Sequence, residues 1–307
     1  MADVVIVTPN PALDVTYHVP VNRPGETNRV AEVHHRPGGK GLNVAQVLDT
    51  LNVSTVSVLP LGGRNGVVLT EQLESFSGGV HPVIIRGQTR STVTVADQVG
   101  HPTVYNETGP DLGADEWLAL RAAIRAELSD ARVLVIAGSL PGAAPHGELC
   151  AWIGDARQAG VEVVVDCSGR WMIEAAKAGA DVLKANADEI RDATNADTVE
   201  DGVQVLLRRG AGCVVASLGS EGIFAYEGGH AYHVTAIPGL RGNPTGAGDA
   251  ATAGLVAARL QGAPPITALA WASAAGAAAV LRPVAGEVDL VDFSRFSSQL
   301  LAERATS

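Results

Sequence analysis

Cysteine is scarce in this chain. Its three thiols, Cys150, Cys167 and Cys213, are widely spaced in apolar runs ("ELCAW", "VVVDC", "GCVVAS"), with no CxxC pair and no histidine cluster. A disulfide framework or a cysteine metal centre is therefore not expected, and buried free thiols are. Positive charge is short as well. The 22 Lys and Arg stand against 33 Asp and Glu, a net charge of -11, which repels nucleic acid and anionic membrane surfaces; neither is expected as a partner. No segment approaches ~18 uninterrupted apolar residues, the minimum for a membrane span. The N-terminus "MADVVIVT" enters a strand-like run where a signal peptide would need a basic segment and an apolar core. A cytoplasmic location is the expectation. Internal repeats, low-complexity stretches and long linkers are missing too. What remains is an ordinary globular composition, 46% hydrophobic and 18% charged over 307 residues, long enough to bury one full core. A single domain over 1–307 is expected.

Short β-branched runs without alternation occur at "DVVIVT" (3–8), "TVSVLPL" (55–61), "RVLVIAG" (132–138), "VEVVVDC" (161–167), "DVLKAN" (181–186) and "GCVVASLG" (212–219). Such runs suit strands buried on both faces. Helical spacing lies between several of them, as in "ADEWLALRAAIRAEL", where Trp117, Leu120, Ile124 and Leu128 form one stripe, and in "TVEDGVQVLLRRG", which ends on Gly210. The repeat of strand, helix and strand predicts an α/β fold, a three-layer αβα sandwich around a mostly parallel sheet, with ligands at the strands' carboxyl ends. Three stretches alternate apolar with polar residues instead: 13–20, 28–36 and 91–107, the last with a hairpin signal at Gly100-His101-Pro102. They are interleaved with the first crossover units. The expectation is one small antiparallel sheet projecting as a lid, its outer apolar face covered by a partner in a homodimer or by closure over ligand. The last part of the chain is Ala-rich helix.

"NPTGAGDA" (243–250) contains Gly246-x-Gly248-x-x-Ala251, the glycine pattern of a dinucleotide turn. That motif needs a preceding strand and an acidic residue after a second strand. Here "IPGLRGNPT" precedes and helix follows helix, so a nicotinamide enzyme is disfavoured. A Walker loop is lacking too, because Lys40 in "RPGGKGLN" is followed by Gly41 instead of Ser or Thr. The stretch can build another phosphate device. Two glycines ahead of a helix let backbone N–H groups of Gly246, Ala247, Gly248 and Asp249 converge where orphan donors and the macrodipole favour an anion. Asp249 could then accept the proton of an attacking hydroxyl. Equally, it could merely complement the dipole, and spacing alone leaves both open.

Together these blocks resemble a known family. "NPTGAGDA" is similar to the C-terminal signature of the ribokinase-like (PfkB-type) carbohydrate kinases, and "RPGGKGLNVAQVL" (36–48) to their N-terminal glycine-rich signature. "TPNPALD" (8–14), "GQTRS" (87–91), "AGSLPG" (137–142), "DCSG" (166–169), "KANADE" (184–189) and "ASLGSEG" (216–222) follow in the order of the branch acting on sugar phosphates, the 1-phosphofructokinases and tagatose-6-phosphate kinases. The likeness covers essentially the whole chain. It implies an ATP-dependent, magnesium-requiring kinase of a ketohexose phosphate: fructose 1-phosphate to fructose 1,6-bisphosphate, with tagatose 6-phosphate and fructose 6-phosphate as close alternatives. A catalytically silent sugar-phosphate sensor is the alternative from another class.

The resemblance also implies roles. Asp249 matches the catalytic base, and the backbone of Ala247, Gly248 and Asp249 matches the anion hole. Asn186 and Glu189 match the element that arranges magnesium through water, although the same spacing caps a helix. Lys184 matches a lysine near the ATP phosphates, with Ala185 where a proline is more usual. Ser217, Gly219 and Gly222 match the nucleotide loop, though they would also serve as turn residues of a hairpin. Ala275 and Gly276 are candidates for the adenine pocket, where no aromatic residue stands. On the acceptor side the matches are Asp14, Gly38, Gly39, Asn43 and, in "AGSLPG", Ser139. Lys40 and Arg90 are expected to grip the substrate's phosphate; as solvated surface charges they would carry no such role. K+ is a candidate activating cation.

Overall fold

Val4, Val5, Ile6 and Val7 have no accessible surface, as a strand covered on both faces requires. In the computed structural model, which describes residues 2–97 and 103–305, they form β1 (Val4–Val7), an interior strand of a nine-stranded sheet. Its other strands are β4 (Thr55–Leu61), β5 (Gly79–Ile84), β8 (Val133–Ala137), β9 (Glu162–Asp166), β10 (Val182–Asn186), β11 (Cys213–Ser217), β12 (Ile223–Glu227) and β13 (His230–Val234). The order is β13-β12-β11-β10-β9-β8-β1-β4-β5. Pairing is parallel from β5 through β11 and antiparallel from β11 to β13. All six unalternating runs are strands of this sheet. β5 carries no such run because it is an edge strand, half-exposed and interrupted by Pro82.

Alternate side chains of the strands feed two cores. Val4, Ile6, Val133 and Val135 pack toward α1 (Lys40–Thr50), α8 (Ala247–Leu260), α9 (Pro265–Val280) and α10 (Leu290–Ala305). Val5, Val7, Leu134 and Ile136 pack toward α3 (Ala114–Glu127), α4 (Glu148–Gln158), α5 (Arg170–Lys177), α6 (Ala187–Thr194) and α7 (Val199–Arg209). The α8–α9 seam is built of small residues: a Cβ on Gly254 would lie 2.9 Å from that of Ala275. Cys167 and Cys213 are buried and Cys150 half-buried, all as free thiols. Burial pushes the Cys213 thiol up to about 12.

The lid is a four-stranded sheet, order β3-β2-β6-β7, of β2 (Ala12–His18), β3 (Glu32–Gly38), β6 (Arg90–Ala96) and β7 (Thr103–Asn106). The expected strand at 28–36 begins later and runs on into the glycine-rich turn, and the hairpin signal at Gly100-His101-Pro102 lies outside the described residues. Two expectations need correction. The sheet is not wholly antiparallel, because β2 and β6 pair in parallel: β6 reaches β2 by a long excursion through the main sheet, not by a hairpin. Nor does the apolar side of the lid stand open. Leu13 and Val15 are buried with Leu42, Leu59, Leu61, Leu69 and Leu73, the last two on α2 (Gly63–Leu73), so α2 covers the sheet within the chain.

Candidate active site

The chain departs from β1 in opposite directions toward β4 and β8, and a cleft opens at such a switch point. A cavity of about 1230 Å³ lies there, lined by Asp14, Arg36, Lys40, Asn43 and Arg90 among others. The lid faces it because β2, β3 and β6 are in register: Asp14 stands opposite Arg36 on one side and Thr92 on the other. Burial raises the Asp14 carboxyl above its ordinary range, against the opposing pull of Arg36, Arg90 and Thr92. Arg90 donates from Nε to the Asn10 carbonyl at 3.1 Å and from Nη1 to the Glu107 carbonyl at 3.2 Å. Ser139 Oγ accepts a bond from Asn10 Nδ2 at 3.3 Å, which fixes the loop after β1 against the loop after β8.

Asp249 lies behind Asn43, which lines this cavity. Gly246 takes a left-handed conformation at φ 82° and ends the chain's approach to α8, a geometry that disfavours a side chain. A Cβ there would also lie 2.5 Å from that of Ala285. Ala247 donates its N–H to the Pro244 carbonyl at 3.2 Å, so of the expected anion hole the Gly248 and Asp249 N–H groups are the unpartnered ones among the described residues. The Asp249 side chain is buried and accepts from Asn43 Nδ2 at 2.7 Å. Burial and the neighbouring Asp166 raise its pKa to about 6, against Lys40, Asn43 and Lys184. A carboxylate so held is more basic than usual yet still ionised at neutral pH, the condition for a general base.

Sequence reasoning gave Asp166 no role, although it ends the buried run of β9 at the strand's carboxyl end, where a carboxylate is out of place in a merely structural strand. It is 2% exposed. Its Oδ1 accepts from Lys40 Nζ at 2.9 Å, and its Oδ2 from Lys184 Nζ at 3.2 Å and Thr252 Oγ1 at 2.6 Å. Burial would raise its pKa, but Lys184, Lys40 and Thr252 outweigh burial and hold it well below the carboxylate range. Two of the chain's three lysines thus meet on one buried carboxylate. Lys40 is one of the two. Its ammonium is paired with Asp166, lies 3.9 Å from Glu189 Oε1, and is raised in pKa first by Asp166. Lys40 thus reaches the carboxyl end of β9 and, like Arg90, lines the cleft. The cation that stands beside Asp14 together with Arg90 is Arg36, to which sequence reasoning gave no role.

Along the carboxyl ends of β10 and β11, Asn186 and Ser217 are paired in register. Asn186 caps α6: its Oδ1 accepts from the Glu189 N–H at 2.8 Å, while Glu189 Oε2 accepts from the Asn186 N–H at 3.0 Å. Capping uses one carboxylate oxygen and the amide oxygen; Oε1 lies 3.9 Å from Lys40 Nζ. One free carboxylate oxygen suits a cation that keeps most of its waters. Gly219 is exposed, and Gly222 makes a turn in which a Cβ would lie 2.1 Å from the Val234 carbonyl oxygen. One adenine-pocket candidate is misplaced: Ala275 is wholly buried against Gly254 in the α8–α9 seam, so its side chain is not on the cleft surface. Gly276 lies beside the Ala247 carbonyl, where a Cβ would be 3.1 Å from that oxygen. Gly38 and Gly39 lie between Asp14 and the start of α1, a Cβ on Gly38 falling 2.1 Å from the Asp14 carboxyl carbon.

A mostly parallel sheet flanked by helices, with a small lid sheet over one end, is the ribokinase-like fold: Arabidopsis thaliana ribokinase complexed with ribose and ATP has a TM-score of 0.77 at 22% identity, covering 97% of this chain and 99% of its own. The model of the pfkB family carbohydrate kinases matches residues 9–290, and the chain belongs to that family. Phosphofructokinase-2 from Escherichia coli in complex with potassium is 27% identical with a TM-score of 0.92, covering 98% of this chain and 100% of its own. The same enzyme in complex with fructose-6-phosphate has the same identity and coverage, with a TM-score of 0.89. A Thermotoga maritima protein described as "possible 1-phosphofructokinase" is 25% identical over 96% of this chain and 97% of its own, TM-score 0.84. The protein is thus an ATP-dependent sugar kinase. Among the described residues no helix is long and apolar enough to cross a membrane.

Proposed function

We propose that the chain, acting as one kinase domain, transfers the terminal phosphoryl group of ATP to a ketohexose that already carries a phosphate, with fructose 1-phosphate as the acceptor and fructose 1,6-bisphosphate as the product. One observation carries this reading: Arg90 lines the cleft and spends its hydrogen bonds on neutral carbonyl oxygens, with the Asp14 and Glu107 carboxylates near enough to act on its charge, so a phosphate bound there would meet a guanidinium whose hydrogen bonds go to carbonyls and not to a carboxylate. Asp14 accepts from the sugar hydroxyls. Asp249 takes the proton of the attacking hydroxyl, and the N–H groups of Gly248 and Asp249 with Lys40 face the charge that develops on the transferring group. Asn186 and Glu189 would hold hydrated magnesium, which neutralises phosphate charge when bound. Ser217, Gly219 and Gly222 form the rim along which the nucleotide lies. A location in the cytoplasm and a homodimer through the lid belong to the same reading.

The test is release of ADP across fructose 1-phosphate, fructose 6-phosphate, tagatose 6-phosphate and their free sugars, for the parent and Arg90→Ala. A charge-assisted bond to a phosphate is worth about 1.5–3 kcal/mol, or roughly 10- to 150-fold in kcat/KM. The phosphorylated sugars should lead by at least that factor, and Arg90→Ala should remove most of the lead by raising KM for the sugar phosphate while KM for ATP holds. Equal use of free and phosphorylated sugar would overturn the acceptor class. A pair of Arg90→Ala effects equal on both would overturn the role of Arg90.

A further inference from the structure

Arg36 belongs to the lid by its backbone, on β3, and to the body by its side chain. Its Nη2 donates to Asn43 Oδ1 at 3.2 Å and to the Ala285 carbonyl. Asn43 Nδ2 in turn donates to Asp249 Oδ2 at 2.7 Å. A guanidinium only donates and a carboxylate only accepts, so the primary amide between them has one satisfactory orientation, oxygen toward Arg36 and nitrogen toward Asp249. Turned over, it would set its NH2 against the guanidinium and its oxygen against the carboxylate, and both bonds would be lost. The second anchor points the same way. Ala285 is the residue packed on Gly246 at the cap of α8, and a Cβ on the adjoining Gly286 would fall 3.2 Å from Asn43 Oδ1. Arg36 therefore ties together a lid strand, the amide that addresses the base, and the segment that buttresses the helix cap carrying the base.

We infer that Arg36 is a positioning residue for phosphoryl transfer: acting from the lid through the Asn43 amide, it fixes the hydrogen bonding and direction of the Asp249 carboxylate. The inference rests on the reading of Asp249 as general base. It adds that the base is fully set only while β3 lies against α1 and the 285–286 segment. The other charged groups that address Asp249, Asp166 on β9, Lys40 on α1 and Lys184 on β10, are untouched by a change at Arg36.

The experiment measures kcat and its pH dependence for the parent, Arg36→Met, Arg36→Lys, Asn43→Ala, the double variant Arg36→Met/Asn43→Ala and Asp249→Asn, using fructose 1-phosphate, fructose 6-phosphate and tagatose 6-phosphate with ATP. Arg36→Met should lower kcat by about tenfold, the effect of one lost bond to a charged group, and change KM for ATP little. It should also move the acid limb of the kcat profile to higher pH, since a donated bond favours the ionised carboxylate and its loss raises the pKa. Arg36→Lys, which keeps the charge and a donor, should recover part of both effects. The double variant should fall well short of the product of the two single effects, because what Arg36 does to the carboxylate passes through Asn43. An acid limb that stays in place in Arg36→Met and Arg36→Lys, or single effects that multiply in the double variant, overturns the inference while Asp249→Asn remains inactive. Near-parental turnover in Asp249→Asn overturns the base assignment itself.

Discussion

At the residue scale the cleft sorts its carboxylates by what surrounds each of them. Asp166 has three donors and stays ionised; Asp249 has one strong donor and a neighbouring negative charge, and its pKa rises to about 6. A general base works only when deprotonated. kcat/KM should therefore be full above neutrality and fall tenfold per pH unit once the pH drops well below about 6, as a kcat/KM profile at limiting sugar phosphate would show. Asp249→Asn should abolish that limb and cost roughly 10²–10⁴ in kcat, or about 3–5 kcal/mol of barrier; a variant turning over at the parental rate would end the assignment. The motif around Asp249 was legible because its glycines and its acid are contiguous. Asp166 and Arg36 were not, because what matters about them is whom they meet: Lys40 and Thr252 are 126 and 86 residues away from Asp166, and Ala285 is 249 away from Arg36. The same distance hid the partner of Lys40, whose sequence neighbours are glycines while its ammonium reaches across to β9.

At the element scale the start of α8 is the most constrained piece. Gly246 is left-handed and pressed on Ala285. Gly246→Ala would add about 1 kcal/mol of backbone strain and force the 285–286 segment or the cap to move. The cap carries the N–H groups of Gly248 and Asp249, so kcat should fall more than stability does. Stopped-flow turnover and urea denaturation of the same variant separate the two; a large loss of stability with kcat intact would show that the cap's exact placement is immaterial to transfer. The doubly buried strands were legible because their apolar runs do not alternate, and α3 and α7 because their stripes are regular. β5 escaped notice because an edge strand needs no such run. The parallel pairing of β2 with β6 escaped too, since pairing direction follows from the route of the chain and not from the composition of the strand.

At the scale of the whole molecule, cover by α2 leaves the lid less in need of a partner than its alternating strands suggested. Val33, Val104 and Tyr105 on the edge strands β3 and β7 remain 48%, 49% and 61% exposed, and unpaired edges of this kind invite a second chain. A dimer through the lid should appear in sedimentation at micromolar concentration and be lost in a variant carrying Val104→Lys and Tyr105→Lys; a parent that sediments only as monomer removes the dimer and leaves the lid. The lid's connections to the body have a consequence of their own. The chain crosses between the two sheets beside Asn10 and Ala12, at Gly38 to Lys40, just before Arg90 and after Asn106. Asn10, Lys40 and Arg90 are also the groups that brace or face the cleft. The crossings between the two sheets are thus also the places where the cleft is braced. If the acceptor binds at these residues, a substitution at any of them should change both the KM for the sugar and the resistance of the lid to local unfolding, as hydrogen exchange over 12–18 and 90–96 would show.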